Sequence, residues 1–253
     1  MVPTGMALVV LTREPEDNAP LSRRLSEVGL TVVEYPCLTT KTLPWEPSML
    51  PVGVMIQDVQ LVAFTSRRSV RSLTPEVVAS LSKCRLAAVG AATARAVLER
   101  FGRGPDVVSE SRSADGLADE LIPTLHPQDR VLLFRGDLSV GVLQDRLRAT
   151  GMEVIEAVVY RNEEPKLEPL ALPPVPEGFP SRTLLVVLAS PSIADRFFGL
   201  NPSFLDCAWA VAFGKTTAAR LREIGCRLVR VTVNQEPESV AQCVFSILTE
   251  VGA

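Results

Sequence analysis

Two loops in this chain combine residue types suited to holding an anion. Val89-Gly90-Ala91-Ala92-Thr93-Ala94 and Phe213-Gly214-Lys215-Thr216-Thr217-Ala218 each run from an apolar segment through glycine into helix-forming residues. Glycine lets the backbone come close to a ligand, and the free N–H groups of a helix N-terminus attract negative charge. A threonine hydroxyl adds a donor or caps the helix. Either loop alone reads equally as an ordinary strand–turn–helix corner. Neither is a nucleotide P-loop, because Gly-x-x-x-x-Gly-Lys-Ser/Thr is absent.

Arginines reinforce the pattern. Arg67 and Arg68 follow Phe64-Thr65-Ser66, where a helix is expected to begin. The helix dipole disfavours cations there, so either acidic neighbours compensate them or they await an anionic ligand. Thr12-Arg13 and Arg135-Gly136 also fall at expected strand ends. A solvated salt bridge would explain each singly. Four arginines and Lys215 near strand ends together point to a polyanionic ligand. Tyr160, one of two tyrosines, ends an expected strand. It either caps the core or stands ready to donate a proton. Arg135-Gly136-Asp137 spells a cell-adhesion tripeptide, which after a buried strand is read as coincidence.

The elements that must position these residues repeat. Ser66 precedes Gly90 by 24 residues, as Ser190 precedes Gly214. Arg13 precedes Gly29 by 16, as Arg135 precedes Gly151, and the copies lie 122 to 124 residues apart. That offset is too long for a solenoid and implies two similar domains. Strands are expected at 7–11, 30–35, 61–65, 86–89, 106–108, 131–134, 154–160, 184–189, 209–213 and 228–231. Helices are expected at 15–28, 66–83, 93–101, 113–125, 140–149, 193–198, 216–224 and 237–250. Segment 39–60 is poorly periodic, and 165–180 is proline-rich and irregular. Strand–helix alternation implies parallel sheets with right-handed crossovers. Because such sheets bind ligands at the carboxyl ends of their strands, a cleft with similar polar rims is expected.

Composition sets outer bounds. The 253 residues suffice for two domains, and 47% hydrophobic with 22% charged residues reads as globular. Net charge is −3 and pI about 5.4, so no overall basic surface recruits nucleic acid. No apolar run reaches a membrane span of roughly 18–20 residues. The apolar start through Leu11 lacks a basic front and reads as a first strand. Cys37, Cys84, Cys207, Cys226 and Cys243 form no Cys-x-x-Cys pair, and His126 is the only histidine. Buried free thiols in a reducing cytoplasm are expected, with no metal site.

In order, the motifs resemble the uroporphyrinogen-III synthase family. They are Leu11-Thr12-Arg13, Phe64-Thr65-Ser66-x-Arg68-x-Val70, Ala88-Val89-Gly90-x-x-Thr93-Ala94, Ser113-Ala114-Asp115-Gly116-Leu117, Arg135-Gly136-Asp137, Val158-Val159-Tyr160-Arg161, Ala189-Ser190-Pro191-Ser192 and Phe213-Gly214-Lys215-Thr216-Thr217-Ala218. The ordered set is specific where no single motif is. The resemblance implies an α/β fold of two flavodoxin-like parallel-sheet domains joined by a two-stranded linker. One domain would be 1–37 with 164–253, the other 38–163. Repetition alone would equally allow two consecutive domains split near residue 125.

The activity implied is cyclisation of hydroxymethylbilane to uroporphyrinogen III, with loss of water and inversion of the last pyrrole ring. That step serves haem, sirohaem and cobalamin biosynthesis and uses no cofactor or metal. By the same resemblance Tyr160 assists the leaving hydroxyl. Thr12, Arg13, Ser66, Arg68, Gly90, Thr93, Ser113, Arg135, Gly136, Ser190, Pro191, Gly214, Lys215, Thr216 and Thr217 would hold the substrate's carboxylates. Three positions depart from the usual family pattern: Ala189 stands for threonine, Lys215 for proline, and Glu238-Ser239 for the hydroxyl residue after a proline. A cytoplasmic monomer is expected, with transient contact to the upstream bilane-forming enzyme and no nucleic-acid or membrane partner. A non-catalytic tetrapyrrole- or metabolite-binding regulatory module on the same fold is the alternative.

Overall fold

A computed structural model describes residues 7–111, 113–139, 141–173 and 183–252. The described chain divides into two compact units, one running up to Thr39 and resuming at Glu163, the other Thr40–Asn162.

The first unit holds strands β1 (Ala7–Leu11), β2 (Thr31–Glu34), β9 (Thr183–Leu188), β10 (Trp209–Ala212) and β11 (Leu228–Val231). Its helices are α1 (Pro15–Glu27), α7 (Pro191–Leu200), α8 (Lys215–Glu223) and α9 (Pro237–Glu250). The strands pair in parallel in the order β2-β1-β9-β10-β11. Every residue of β1 is buried, which is why its sequence is an unbroken apolar run. Leu8 and Val10 pack toward Phe197 of α7 and Leu221 of α8, while Ala7, Val9 and Leu11 pack toward Leu21 of α1 and Val244 of α9.

The second unit holds β3 (Thr39–Thr42), β4 (Leu61–Phe64), β5 (Arg85–Ala88), β6 (Val107–Val108), β7 (Arg130–Gly136) and β8 (Glu153–Glu163). The sheet order is β3-β8-β7-β4-β5-β6, and the pairs from β8 to β6 are parallel. Helices α2 (Arg67–Arg71), α3 (Pro75–Ser80) and α4 (Ala91–Phe101) cover one face; α5 (Ala114–Leu121) and α6 (Val142–Ala149) cover the other.

The two sheets are circular permutations of one plan. Read along the chain, the first sheet has strand order 2-1-3-4-5, the flavodoxin-like order. In the second, β7 and β8 occupy the places that β1 and β2 take in the first, so its leading strand–helix–strand unit comes last in the chain.

Several elements differ from expectation. The helix expected at 66–83 is two helices, because Thr74 caps a new start and Pro75 takes its first position. The aperiodic segment 39–60 contains β3, whose Thr-Thr-Lys-Thr sequence carries no apolar signal. β8 continues three residues beyond Tyr160, so that tyrosine does not end its strand. Cys207 is exposed and Cys243 half-buried, whereas Cys37, Cys84 and Cys226 are buried, and all five are free. The apolar start before Ala7, position 140 and residues 174–180 of the expected irregular stretch lie outside the described residues; 164–173 form no helix or strand.

Candidate functional site

In a doubly wound sheet, ligands bind beside the carboxyl ends of the strands where the winding reverses. In the second unit that point lies between β4 and β7. Phe64 and Phe134, near the ends of these strands, stack with centroids 5.5 Å apart. Immediately beyond β4 stands Ser66, the N-cap of α2, whose Oγ accepts the Ser69 N–H at 3.1 Å. The same Oγ lies 3.1 Å from the hydroxyl of Tyr160 in β8.

Gly136, at the end of β7, makes room for that tyrosine. A Cβ built on it would fall 2.7 Å from Tyr160 Oη and closer still to the ring. The β7–β8 register shifts between Arg135 and Gly136, which brings Gly136 opposite Tyr160. The turn that follows is tied down: Asp137 N–H donates to the Tyr160 carbonyl at 3.1 Å, and Asn162 donates from backbone and side chain to Asp137 Oδ1. Burial pushes the Asp137 carboxyl up, but donors from Asn162 and the Leu138 N–H outweigh it and hold it below its ordinary value.

Arg135 is engaged within the unit. Its Nε lies 2.6 Å from Glu156 Oε2, off the line a hydrogen bond needs, and its Nη1 donates to the carbonyls of Gly136 and Ser139 at 3.0 and 3.4 Å. Glu156 also receives Arg148 at 2.8 Å and Gln144 at 3.1 Å. Arg135 is thus part of a salt bridge, and Arg135 and Asp137 of the Arg-Gly-Asp tripeptide both have partners within the unit. Gly90 caps α4, with Thr93 buried in its first turn. Ser113 caps α5 by accepting the Gly116 N–H at 3.0 Å, and its hydroxyl continues through Ser111 to Ser109. Arg67 and Arg68 are half-buried.

In the first unit the winding reverses between β1 and β9. Thr12, just past β1, is buried and donates its hydroxyl to the Val187 carbonyl of β9. Arg13 pairs with Asp17 at 2.7 Å and lies 5.8 Å from the centre of the Phe213 ring. A salt bridge is thus present here too. Ser190 caps α7, accepting the Ile193 N–H at 3.4 Å, with Pro191 in the first position and Ser192 Oγ 3.1 Å away. Gly214 caps α8, with Lys215 and Thr216 exposed and Thr217 buried. Its φ of −175° is open to any residue, and a Cβ there would meet nothing within 4 Å. Neither backbone strain nor crowding among the described residues requires glycine at 214, although its N-cap position favours one.

Within each unit, then, the expected residues gather at the carboxyl ends of the strands, and the Ser66–Tyr160 hydroxyl pair stands out among them. That pair joins motifs 94 residues apart and has no signal in the sequence. Among the described residues, no group of acidic, cysteine and histidine side chains is arranged to hold a metal ion. None of their helices is long and apolar enough to cross a membrane.

The fold, with helix N-termini at the strand ends of each unit, defines an α/β protein built from two doubly wound, mostly parallel sheets. The profile of the family described as Uroporphyrinogen-III synthase HemD matches residues 19–242. A uroporphyrinogen-III synthase of Chlorobaculum parvum is 26% identical over 230 residues, 88% of this chain and 92% of that protein. The crystal structure of uroporphyrinogen-III synthetase from Helicobacter pylori aligns with a TM-score of 0.63 and 20% identity, over 96% of this chain and 100% of the other. That of a mutant uroporphyrinogen III synthase from the extremely thermophilic bacterium Thermus thermophilus aligns at 0.55 and 22%, over 96% and 99%. The chain belongs to the uroporphyrinogen-III synthase family.

Proposed function

We propose that this protein closes hydroxymethylbilane to uroporphyrinogen III, and that Tyr160 serves the departing hydroxyl. The observation that carries this reading is the phenol of Tyr160 held by Ser66 beside a sheet reversal, in a chain matched to the synthase family over residues 19–242.

Loss of the substrate hydroxyl as water needs a proton at that oxygen and leaves a reactive cation. Tyr160 donates to or orients the leaving oxygen, a general-acid contribution of about 10–10³-fold. Most of the remaining work is positioning, which directs the cation to close on the inverted ring. Helix N-termini at Ser66, Gly90, Ser113, Ser190 and Gly214 offer backbone donors to the substrate's carboxylates, with Lys215 and Arg68 adding charge. Thr12, Arg13, Thr93, Arg135 and Thr217 support those loops from beneath through the bonds and burial described above, while Gly136, Pro191 and Thr216 shape them. This division of labour refines the resemblance, which put all of them on the substrate.

The two compact units correspond in this reading to domains 1–37 with 164–253, and 38–163. The protein works as a cytoplasmic monomer, receives its bilane from the preceding enzyme by transient contact, and needs neither nucleic acid nor membrane. Bilane turnover with the type I and type III isomers separated tests the proposal. Type III product formed faster than spontaneous closure supports it; binding of tetrapyrrole with only type I product would make the chain a binding module instead.

A further inference from the structure

We propose that Ser66 is a positioning residue that acts through Tyr160: its hydroxyl sets which way the phenol proton points. The inference rests on the acid role of Tyr160 proposed above.

A serine hydroxyl has one proton to give and two lone pairs. One lone pair of Ser66 is committed, because Oγ accepts the Ser69 N–H that begins α2. The Ser69 hydroxyl in turn donates to the Ser66 carbonyl at 2.7 Å, so the backbone beneath the cap is also fixed. The 3.1 Å bond to Tyr160 can be written with either hydroxyl donating. Only one direction is compatible with an acid at Tyr160. If Tyr160 donates to Ser66, its proton is turned away from substrate. If Ser66 donates to Tyr160 Oη, the phenol proton is left over for the leaving oxygen. Both hydroxyls keep their oxygen positions and only rotate their protons, so an incoming hydroxyl that competes for the phenol proton selects the second arrangement.

The ring has little alternative placement. Gly136 backs it closely, β8 carries it, and Ser66 holds its tip. Helix α2 is only five residues long, and its cap doubles as the anchor for the phenol. Capping alone would be served equally by aspartate or asparagine, and somewhat less well by threonine. Anchoring with the stated polarity requires an acceptor that is also a donor, which aspartate is not.

The test compares Ser66→Ala, Ser66→Asp, Ser66→Thr, Tyr160→Phe and the double variant Ser66→Ala/Tyr160→Phe, with kcat and KM for type III formation measured beside thermal stability. Ser66→Ala is expected to lower kcat roughly 10-fold with KM changed less than about 3-fold. Ser66→Asp keeps the cap and the melting temperature but loses kcat comparably, while Ser66→Thr restores most of the rate. The double variant is expected to be no slower than Tyr160→Phe, since the two residues act as one unit. Full kcat in Ser66→Asp, or a double variant slower by the product of both single effects, overturns the inference and leaves the Tyr160 role standing. Full turnover in Tyr160→Phe overturns that role and this inference with it. Should Ser66→Ala fail to fold, the aspartate and threonine variants decide alone.

Discussion

Tyr160 rests on Gly136, and no side chain fits between them: a Cβ on Gly136 would sit 2.7 Å from the phenol oxygen. The nearer obstruction is the ring itself, whose hydroxyl is held by Ser66. Gly136→Ala must therefore displace the phenol while leaving its hydroxyl intact. We expect type III formation to fall at least as far as in Tyr160→Phe, roughly 10-fold or more, with the protein still folded by circular dichroism. An alanine variant with full turnover would show that the phenol's position does not matter.

Gly214 makes the complementary case, because none of the described residues crowds it. Gly214→Ala should shift stability by no more than about 1 kcal/mol, the scale of an N-cap change. If a carboxylate of the substrate approaches this backbone, KM should rise several-fold with kcat less affected. Unchanged KM and kcat would assign the glycine no role in binding.

Arg135 separates a support from a ligand contact. Its Nη1 staples the 136–139 turn, and Glu156 lies beside its Nε. Arg135→Gln should cost about 2 kcal/mol of stability, as lost charged hydrogen bonds do, and lower kcat through the turn under Tyr160. A large rise in KM with stability unchanged would instead mean that the guanidinium binds substrate.

Thiol reactivity should divide the cysteines by burial. Burial pushes the Cys37 thiol up to about 12, although the Arg196 charge pulls the other way. Burial also raises Cys84, Cys226 and Cys243. With its folded pKa above the ordinary value, each stays protonated and unreactive through neutral pH. Titration of the native protein with a disulfide reagent at pH 8 should modify Cys207 first, with the buried thiols released only by denaturant. Fast reaction of Cys37 would contradict its placement.

The central strands were legible because parallel strands covered on both faces cannot avoid apolar runs, as in Leu61-Val62-Ala63-Phe64. Glycines and hydroxyl residues after those runs marked the loops correctly. β3 was invisible, since an edge strand of Thr39-Thr40-Lys41-Thr42 need satisfy only backbone hydrogen bonds. The break at Thr74-Pro75 did have a signal, a cap residue followed by proline, but the apolar spacing across it suggested one helix. At Arg135 a salt bridge and an anionic ligand stood as equal alternatives because Glu156 lies on a different strand, and nothing local reveals that partner. The Ser66–Tyr160 bond is of the same kind: sheet order creates it, and only the fold displays it.

The permuted sheet order also has a consequence for how the chain is made. β1 lies inside its sheet, between β2 and β9, and β9 begins only at Thr183. A ribosome releases the whole of Thr40–Asn162 before that neighbour exists. The inner unit can finish folding during synthesis, while the fully apolar β1 waits with one flank unpaired. Nascent chains stalled before residue 183 should thus carry a folded middle and a sticky N-terminal arm, the stage at which a chaperone would be needed most.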